Sequence, residues 1–202
     1  MSNFLAIDTS SRYLSVLAVK GEKRTLRYIP ECAMKHSVIL MDEVDGAFKE
    51  VGLTPNECDF FAAVTGPGSF TGIRIGVSAV KGFALAADKP LLSITSFDLI
   101  AYNVNSENFY TVIDAAHGCY YVCGYGKDGR IIKEPCYMDG DGVSALNAPL
   151  YGFEDLPLSD YTRLDAGSCL FPAVVQNQNK LSREMRALYV RKSQAEEAKN
   201  AD

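Results

Sequence analysis

Residues 5–12 read LAIDTSSR, an apolar run that ends in Asp8 and is followed by a polar turn. The same order returns in residues 110–118, YTVIDAAHG, where Asp114 takes the place of Asp8. Each copy leads into a second strand-like segment, so a hairpin with an aspartate at its turn occurs twice. Such internal self-similarity indicates a duplicated unit. We therefore predict two related half-domains that face each other across a cleft.

The residues around the first copy predict the architecture of each half. Alternating apolar residues between 4 and 29 predict three antiparallel strands, and apolar residues three and four apart predict a helix over 34–51. A buried strand, a second helix over 72–87, another strand and a short helix follow. The order β-β-β-α-β-α-β-α is that of a ribonuclease H-like, or actin-like, α/β subdomain. We expect one subdomain over 1–104 and a smaller one, with reduced helices, over 105–202.

Composition narrows the classes of function. The 202 residues carry a net charge of −5, with 48% hydrophobic and 22% charged residues, which is typical of a globular protein. An acidic chain lacks the clustered Lys and Arg that hold nucleic acid, so any tRNA contact is expected to be indirect. No signal peptide or uninterrupted apolar span is recognised, which predicts a cytoplasmic protein with no membrane contact. The six cysteines form no CxxC pair and are expected to be reduced structural thiols.

Residues 66–76, GPGSFTGIRIG, form the most distinctive segment. Glycines allow tight backbone turns, Ser69 or Thr71 can cap the following helix, and N–H groups at a helix start attract anions. The segment has neither the lysine of a P-loop nor the GxGxxG spacing. The residues alone favour a tight turn for close packing, and a phosphate cradle remains the alternative.

The second predicted helix has two apolar faces. One face is expected to lie on the sheet and consists of Ile73, Val77, Val80, Ala84 and Ala87. The other face is made almost entirely of small residues, which allow a second helix to approach closely. Together with the apolar stripe of the first helix, it offers more apolar surface than one small domain can cover. We therefore predict an interface with another subunit formed by Met34, Val38, Ile39, Met41, Gly72, Ile75, Gly76, Ala79 and Gly82.

The sequence resembles the TsaB (YeaZ) family of bacterial tRNA threonylcarbamoyladenosine biosynthesis proteins. The resemblance rests on AIDTS at 6–10, KHS at 35–37, the glycine segment at 66–76, IDA at 113–115 and LYVRK at 188–192. It covers nearly the whole chain, although residues 138–180 match weakly.

This resemblance implies a fold of two actin-like subdomains and an obligatory partner, the catalytic paralogue TsaD. With the ATPase TsaE and ATP, that pair transfers a threonylcarbamoyl group to N6 of the tRNA adenosine 3′ of the anticodon. The resemblance further implies that this chain is not itself the transferase and needs no cofactor. Its N-terminal helices would bind TsaD or, in the isolated protein, a second copy of the chain.

The histidines support an inactive chain independently. The catalytic relative holds a metal with two histidines one helical turn apart, whereas here His36 has Leu40 at that spacing. His117 is the only other histidine in the sequence. One imidazole without a second cannot build that site, so no metal and no catalytic residue are predicted. His36 is expected to be a hydrogen-bonding residue at a helix end.

A nucleotide site would need both aspartate hairpins. Asp8, Thr9 and Ser10 share one turn and offer a carboxylate and hydroxyls to a phosphate or a hydrated magnesium ion. Around Asp114 the hydroxyl and glycine pattern is missing. We expect these four residues to be vestiges of a nucleotide site.

Two other functions remain open at this stage. One is a degenerate actin-like ATP-dependent phosphotransferase or ATPase, and the other is a homodimeric module with an unrelated partner. The mixed charges of the tail, residues 180–199, predict a solvated helix face.

Overall fold

The computed structural model describes residues 2–191, which form two five-stranded sheets. The first sheet has the strand order β3-β2-β1-β4-β5. Its strands are β1 (Phe4–Asp8), β2 (Leu14–Lys20), β3 (Lys23–Ile29), β4 (Phe60–Val64) and β5 (Leu91–Ile94). The first three strands are antiparallel, and β4 and β5 continue the sheet in parallel with β1. This is the predicted meander that continues into parallel strands.

The second sheet repeats this topology. Its order is β10-β9-β6-β7-β8, in which β6, β7 and β8 are antiparallel and β9 and β10 run parallel to β6. The strands are β6 (Asn108–Asp114), β7 (Cys119–Gly126), β8 (Ile131–Asp139), β9 (Leu150–Gly152) and β10 (Tyr161–Arg163). The matching strand order confirms an α/β fold built from two actin-like halves.

The helices differ strongly between the halves. The first half carries α1 (His36–Val51), α2 (Phe70–Ala87) and α3 (Ser96–Ala101). In the second half, α4 (Gly140–Ser144) has five residues, the link between β9 and β10 contains no helix, and α5 (Ala166–Gln176) completes the unit. The second half is therefore reduced as predicted, because it lacks long helices on its outer face.

Two hydrophobic layers cover the first sheet. On the outer side, α1 and α2 pack on the sheet through residues such as Leu40 and Ile73, and Phe48 of α1 meets Phe83 of α2 edge to face. On the inner side, α3 and α5 lie among residues of both sheets, including Phe97 and Phe109. Because β1 and β4 are covered on both sides, their sequences are continuous apolar runs rather than alternating ones.

The observed first residues of α1 and α2 correct the helix bounds that the sequence predicted. The first helix begins at His36 rather than at residue 34, because Met34 adopts a left-handed backbone with φ of 71° ahead of it. The second helix begins at Phe70, two residues early, because Ser69 is its N-cap and accepts a hydrogen bond from the N–H of Gly72. Capping by Ser69 is thus confirmed among the two predicted candidates.

The chain returns to the first half at its C-terminal end. Residues 181–191 contain no helix, which makes the predicted tail helix wrong over this range; residues 192–202, with Lys192 of the LYVRK motif, lie outside the described residues. Met185 is buried in the core beneath α1 and α2, and the N–H of Leu188 donates to the carbonyl of Thr65 at 2.8 Å. We call residues 181–191 the C-terminal strap, and we keep 1–104 and 105–202 only as the proposed division between the repeats.

One helix corrects the expectation that every apolar stretch is too short for a membrane. Phe70–Ala87 has 18 residues and a mean hydropathy of 1.3, which suffices by length and composition to cross a bilayer. Its buried residues Ile73, Val77 and Val80 pack on the first sheet, as they do in the core helix of a globular protein. A single helix of this kind is weak evidence that the chain spans a membrane.

Candidate functional site

The Asp8 turn is closed, in the sense that hydrogen bonds within the chain occupy the Asp8 carboxylate. Asp8 ends β1 and is 1% exposed. Its Oδ1 accepts hydrogen bonds from the N–H and the Oγ of Ser10 at 2.8 and 2.7 Å, and its Oδ2 accepts one from the Tyr13 hydroxyl at 2.7 Å. Burial raises the pKa of Asp8, although the hydrogen bonds from Ser10 and Tyr13 pull it down. Both carboxyl oxygens are therefore engaged before any ligand arrives.

The glycine segment packs directly against this turn. A Cβ on Gly68 would lie 2.2 Å from the carbonyl oxygen of Ser10, and one on Gly72 would lie 2.0 Å from that of Thr9. The Thr9 hydroxyl in turn donates to the carbonyl of Gly72 at 2.7 Å, and the N–H of Ser69 donates to that of Ser10 at 2.7 Å. Glycine is needed here for close backbone approach, which supports the packing interpretation over a phosphate cradle.

The structure therefore corrects the predicted interface at Gly72 and Gly76. Both residues are buried, and a Cβ on Gly76 would lie 2.4 Å from the Thr9 hydroxyl. The small-residue face thus serves the approach of the Asp8 turn of the same chain at this end of α2. Ile75 and Ala79 are half-buried against the core, whereas Gly82 is exposed with open space around its Cα.

The second aspartate turn is open. Asp114 ends β6, is exposed, and accepts a hydrogen bond on Oδ1 from the N–H of Ala116 at 2.8 Å. It lines a cavity of about 350 Å³ between the lobes, together with Ser10, Gly68 and Glu154. The structure thus brings Ser10 and Asp114 to one cavity, whereas Asp8 and Thr9 lie behind its wall.

A larger cavity of about 550 Å³ continues this cleft and is predominantly acidic. Its carboxyl groups belong to Glu31, Asp114, Glu154, Asp155 and Asp165, and its cationic groups to Arg12 and Arg163. This excess of negative charge opposes the binding of a polyphosphate. Glu154 was not anticipated from the sequence, because it lies in an irregular segment with neither periodicity nor motif.

His36 confirms its predicted role. It is buried at the start of α1, and its Nε2 lies 2.9 Å from the carbonyl oxygen of Tyr13. Within residues 2–191, no three side chains of His, Cys, Asp or Glu come together in a way that could hold a metal ion.

Large apolar side chains are exposed at the start of α1 and just before it. Met34 is 95% exposed, Val38 73% and Met41 54%. We call these three residues the exposed α1 patch. Ile39 beside them is half-buried against the core. On α2, Leu85 is 86% exposed; it escaped the sequence prediction because it belongs to neither helical stripe.

These features place the chain in a class of proteins with a duplicated actin-like fold, one closed and one open aspartate turn, and an acidic cleft. A sequence model described as TsaD, tRNA N6-adenosine threonylcarbamoyltransferase, matches residues 26–150. That match covers more than half of the chain, which therefore belongs to this family.

Curated relatives confirm the resemblance to TsaB. The tRNA threonylcarbamoyladenosine biosynthesis protein TsaB of Bacillus subtilis is 32% identical over 134 residues, covering 64% of this chain and 58% of the relative. The TsaB proteins of Haemophilus influenzae and Escherichia coli are 36% and 30% identical, over 55% and 61% of this chain. These alignments span 48% and 55% of the two relatives, so the chain covers only about half the length of the curated proteins it matches.

Solved structures confirm the fold over nearly the whole chain. YeaZ from Pseudomonas aeruginosa superposes with a TM-score of 0.77 at 21% identity, covering 94% of this chain and all of that protein. A second Pseudomonas aeruginosa structure, described as similar to peptidase YeaZ, gives 0.78 at 22% identity, with 95% and 100% covered.

Proposed function

We propose that this chain is a non-catalytic partner of a TsaD-type transferase in the threonylcarbamoylation of N6 of the tRNA adenosine 3′ of the anticodon. A TsaE-type ATPase and ATP act in the same complex, tRNA is held through the partners, and the complex is cytoplasmic. The membership in the TsaD family and the names of the TsaB relatives support this role. In the absence of the transferase, the same surface joins two copies of the chain.

The observation that carries this proposal is the exposed α1 patch. Val38 and Met41 present large apolar side chains to solvent from the first turns of α1, and Met34 does so from the turn just before the helix. Burial of apolar surface contributes about 25 cal/mol per Å². A partner helix that covers these exposed side chains would therefore stabilise the complex. An exposed apolar patch of this kind supports the proposal of a protein interface at the start of α1.

The closed Asp8 turn supports the non-catalytic part of the proposal. An ATP site of actin-like type needs free carboxylates and backbone N–H groups facing the phosphates. Here both oxygens of Asp8 accept intramolecular hydrogen bonds, and the N–H of Ser69 is bonded to Ser10. His36 is likewise engaged within the chain, with its Nε2 2.9 Å from the Tyr13 carbonyl oxygen.

Substitutions in the patch test the proposal. Met41→Lys, combined with Val38→Lys, is expected to abolish co-elution with the TsaD-type paralogue in size-exclusion chromatography, because a charge is then buried at the contact. The matched control is Ile132→Lys on β8, which also replaces an exposed aliphatic residue, 44% exposed, but in the other lobe. The proposal is contradicted if only the control variant loses binding, or if neither variant loses it.

A degenerate ATP-dependent phosphotransferase is the second candidate, favoured by Ser10, Gly68 and Asp114 around one cavity. Titration calorimetry with Mg-ATP on the isolated chain separates the two. Micromolar affinity with turnover supports the enzyme, whereas the partner role predicts no turnover.

A further inference from the structure

Met34 combines a strained backbone with an exposed side chain. Its φ of 71° lies in the left-handed region, which is unfavourable for methionine because the Cβ then crowds the following carbonyl oxygen. The residue is also 95% exposed, so its side chain gains little from packing against the rest of residues 2–191. Packing of the Met34 side chain within the chain therefore does not offset the cost of this conformation.

The turn that carries Met34 is fixed in place. The N–H groups of Cys32 and Ala33 both donate to the carbonyl of Arg12, at 2.6 and 2.9 Å, and the N–H of Lys35 donates to the carbonyl of Cys32 at 2.9 Å. Cys32 is fully buried in the core between α1 and the first sheet. The turn is thus anchored on both sides of Met34 and presents its side chain to solvent. Strained residues that the surrounding structure holds in place are typical of binding sites.

Met34 belongs to two surfaces at once. It is part of the exposed α1 patch, and it lines the cavity of about 350 Å³ between the lobes, together with Gly68 of the first lobe and Asp114 of the second. A residue that lines a cavity and is 95% exposed lies at the mouth of that cavity. Asp114 is exposed as well and belongs to the second-lobe side of the mouth. The exposed α1 patch therefore continues across the cavity mouth to the turn between β6 and β7.

We propose that the partner bound at the exposed α1 patch also covers the mouth of this cavity and contacts the Asp114 turn of the second lobe, with Met34 as the central apolar anchor. This inference rests on the proposed function, because the partner is the TsaD-type paralogue. Methionine is enriched at protein interfaces, and a few side chains near the centre of an interface contribute most of the binding free energy. The bound partner thereby closes the cavity to other ligands.

Asp114→Arg tests the contact with the second lobe, by calorimetric titration of the full chain with the TsaD-type paralogue. The matched control is Asp128→Arg. Each aspartate is exposed at a hairpin turn and accepts a hydrogen bond from the N–H two residues later, but the two turns lie at opposite ends of β7. Asp114→Arg is expected to raise the Kd by about 10-fold or more, because a long charged side chain then stands in the contact. Asp128→Arg is expected to change the Kd by less than about 2-fold.

Met34→Gly separates the side chain from the backbone strain. Glycine adopts a φ of 71° without strain, so this variant is expected to melt at a higher temperature than the natural chain. Its Kd for the paralogue is nevertheless expected to rise by about 10-fold or more, because the anchor is lost. Met34→Ala, which keeps the strain, is expected to weaken binding to a similar degree without the rise in melting temperature. Ile132→Ala on β8, which truncates another exposed side chain, is expected to change the Kd by less than about 2-fold.

Three results would overturn the inference while the proposed function stands. The first is a Met34→Gly chain that binds the paralogue as tightly as the natural chain, and the second is an equal effect of Asp114→Arg and Asp128→Arg. The third is a change in self-association alone in the Met34 variants, which would assign the mouth to a second copy of the chain. If the natural chain itself does not bind the paralogue, the proposed function fails, and the inference fails with it.

Discussion

Gly72 and Gly82 lie on the same helix but have opposite surroundings. A Cβ on Gly72 would lie 2.0 Å from a backbone oxygen, whereas a Cβ on Gly82 would meet nothing within 4 Å. We expect Gly72→Ala to lower the free energy of unfolding by about 2 kcal/mol or more through overpacking. Gly82→Ala is expected to raise it by about 0.5–1 kcal/mol, because alanine is the better helix former. Urea denaturation measures both, and a similar effect of the two substitutions contradicts the packing described for α2.

Glu154 gives the chain a pH-dependent stability with a defined sign. Burial raises its pKa above the ordinary value of 4.5, so the folded state holds this proton more tightly than the unfolded state. Stability from Glu154 is therefore fully present below the ordinary pKa of 4.5 and is lost as the pH rises through the folded-state pKa.

Glu154→Gln removes this dependence. The difference in melting temperature between Glu154→Gln and the natural chain is expected to grow in favour of the variant from pH 4 to pH 8. Thermal unfolding at intervals across this range measures it, with Glu31→Gln as the exposed control. A difference that is constant with pH, or that falls, contradicts a raised pKa.

At the scale of elements, the C-terminal strap is part of the core of the first lobe. Met185 is 3% exposed beneath α1 and α2, and Tyr189 packs on Phe70 with ring centroids 4.8 Å apart. We expect Met185→Ala to lower the free energy of unfolding by about 2–4 kcal/mol, since it leaves a cavity. Leu181→Ala, at a position 41% exposed, is expected to stay within about 0.5 kcal/mol. Equal effects in denaturant unfolding would show that the strap does not pack as described.

Local sequence signals predicted most of the elements but not their partners. The strands and long helices follow from periodicity, which depends on residues a few positions apart. The strap has no such period, and its contacts with Thr65 and Phe70 join residues more than a hundred positions apart along the chain. Periodicity also placed Gly72 and Gly76 on one face of α2, but it could not show that the Asp8 turn of the same chain approaches that face.

The candidate sites were predictable to a similar extent. Val38 and Met41 could be proposed from the sequence because they extend an apolar stripe beyond what α1 needs for its own core. Glu154 could not, because the property that distinguishes it is its place in the cleft beside Ser10 and Asp114, which depends on the tertiary structure.

At the scale of the whole molecule, the two halves share a sheet topology but differ in their helices and in their aspartate turns. The two sheets have the same strand order, but the second half carries only the short α4 on its outer side and has an exposed aspartate turn. The first half carries the long helices α1 and α2, and its Asp8 carboxylate is held by hydrogen bonds within the chain. The proposed partner role assigns the retained outer helix α1 to binding and leaves bond-making steps to the paralogue.

Reconstituted threonylcarbamoyl transfer, read by mass spectrometry of tRNA nucleosides, tests this role most directly. The chain alone is expected to form no modified adenosine in the presence of ATP and the threonylcarbamoyl donor. Its addition to the TsaD-type and TsaE-type proteins is expected to restore modification, and the chain with Val38→Lys and Met41→Lys is expected to fail. Modification by the chain alone, or full activity of the three-protein mixture with that variant, would contradict the account.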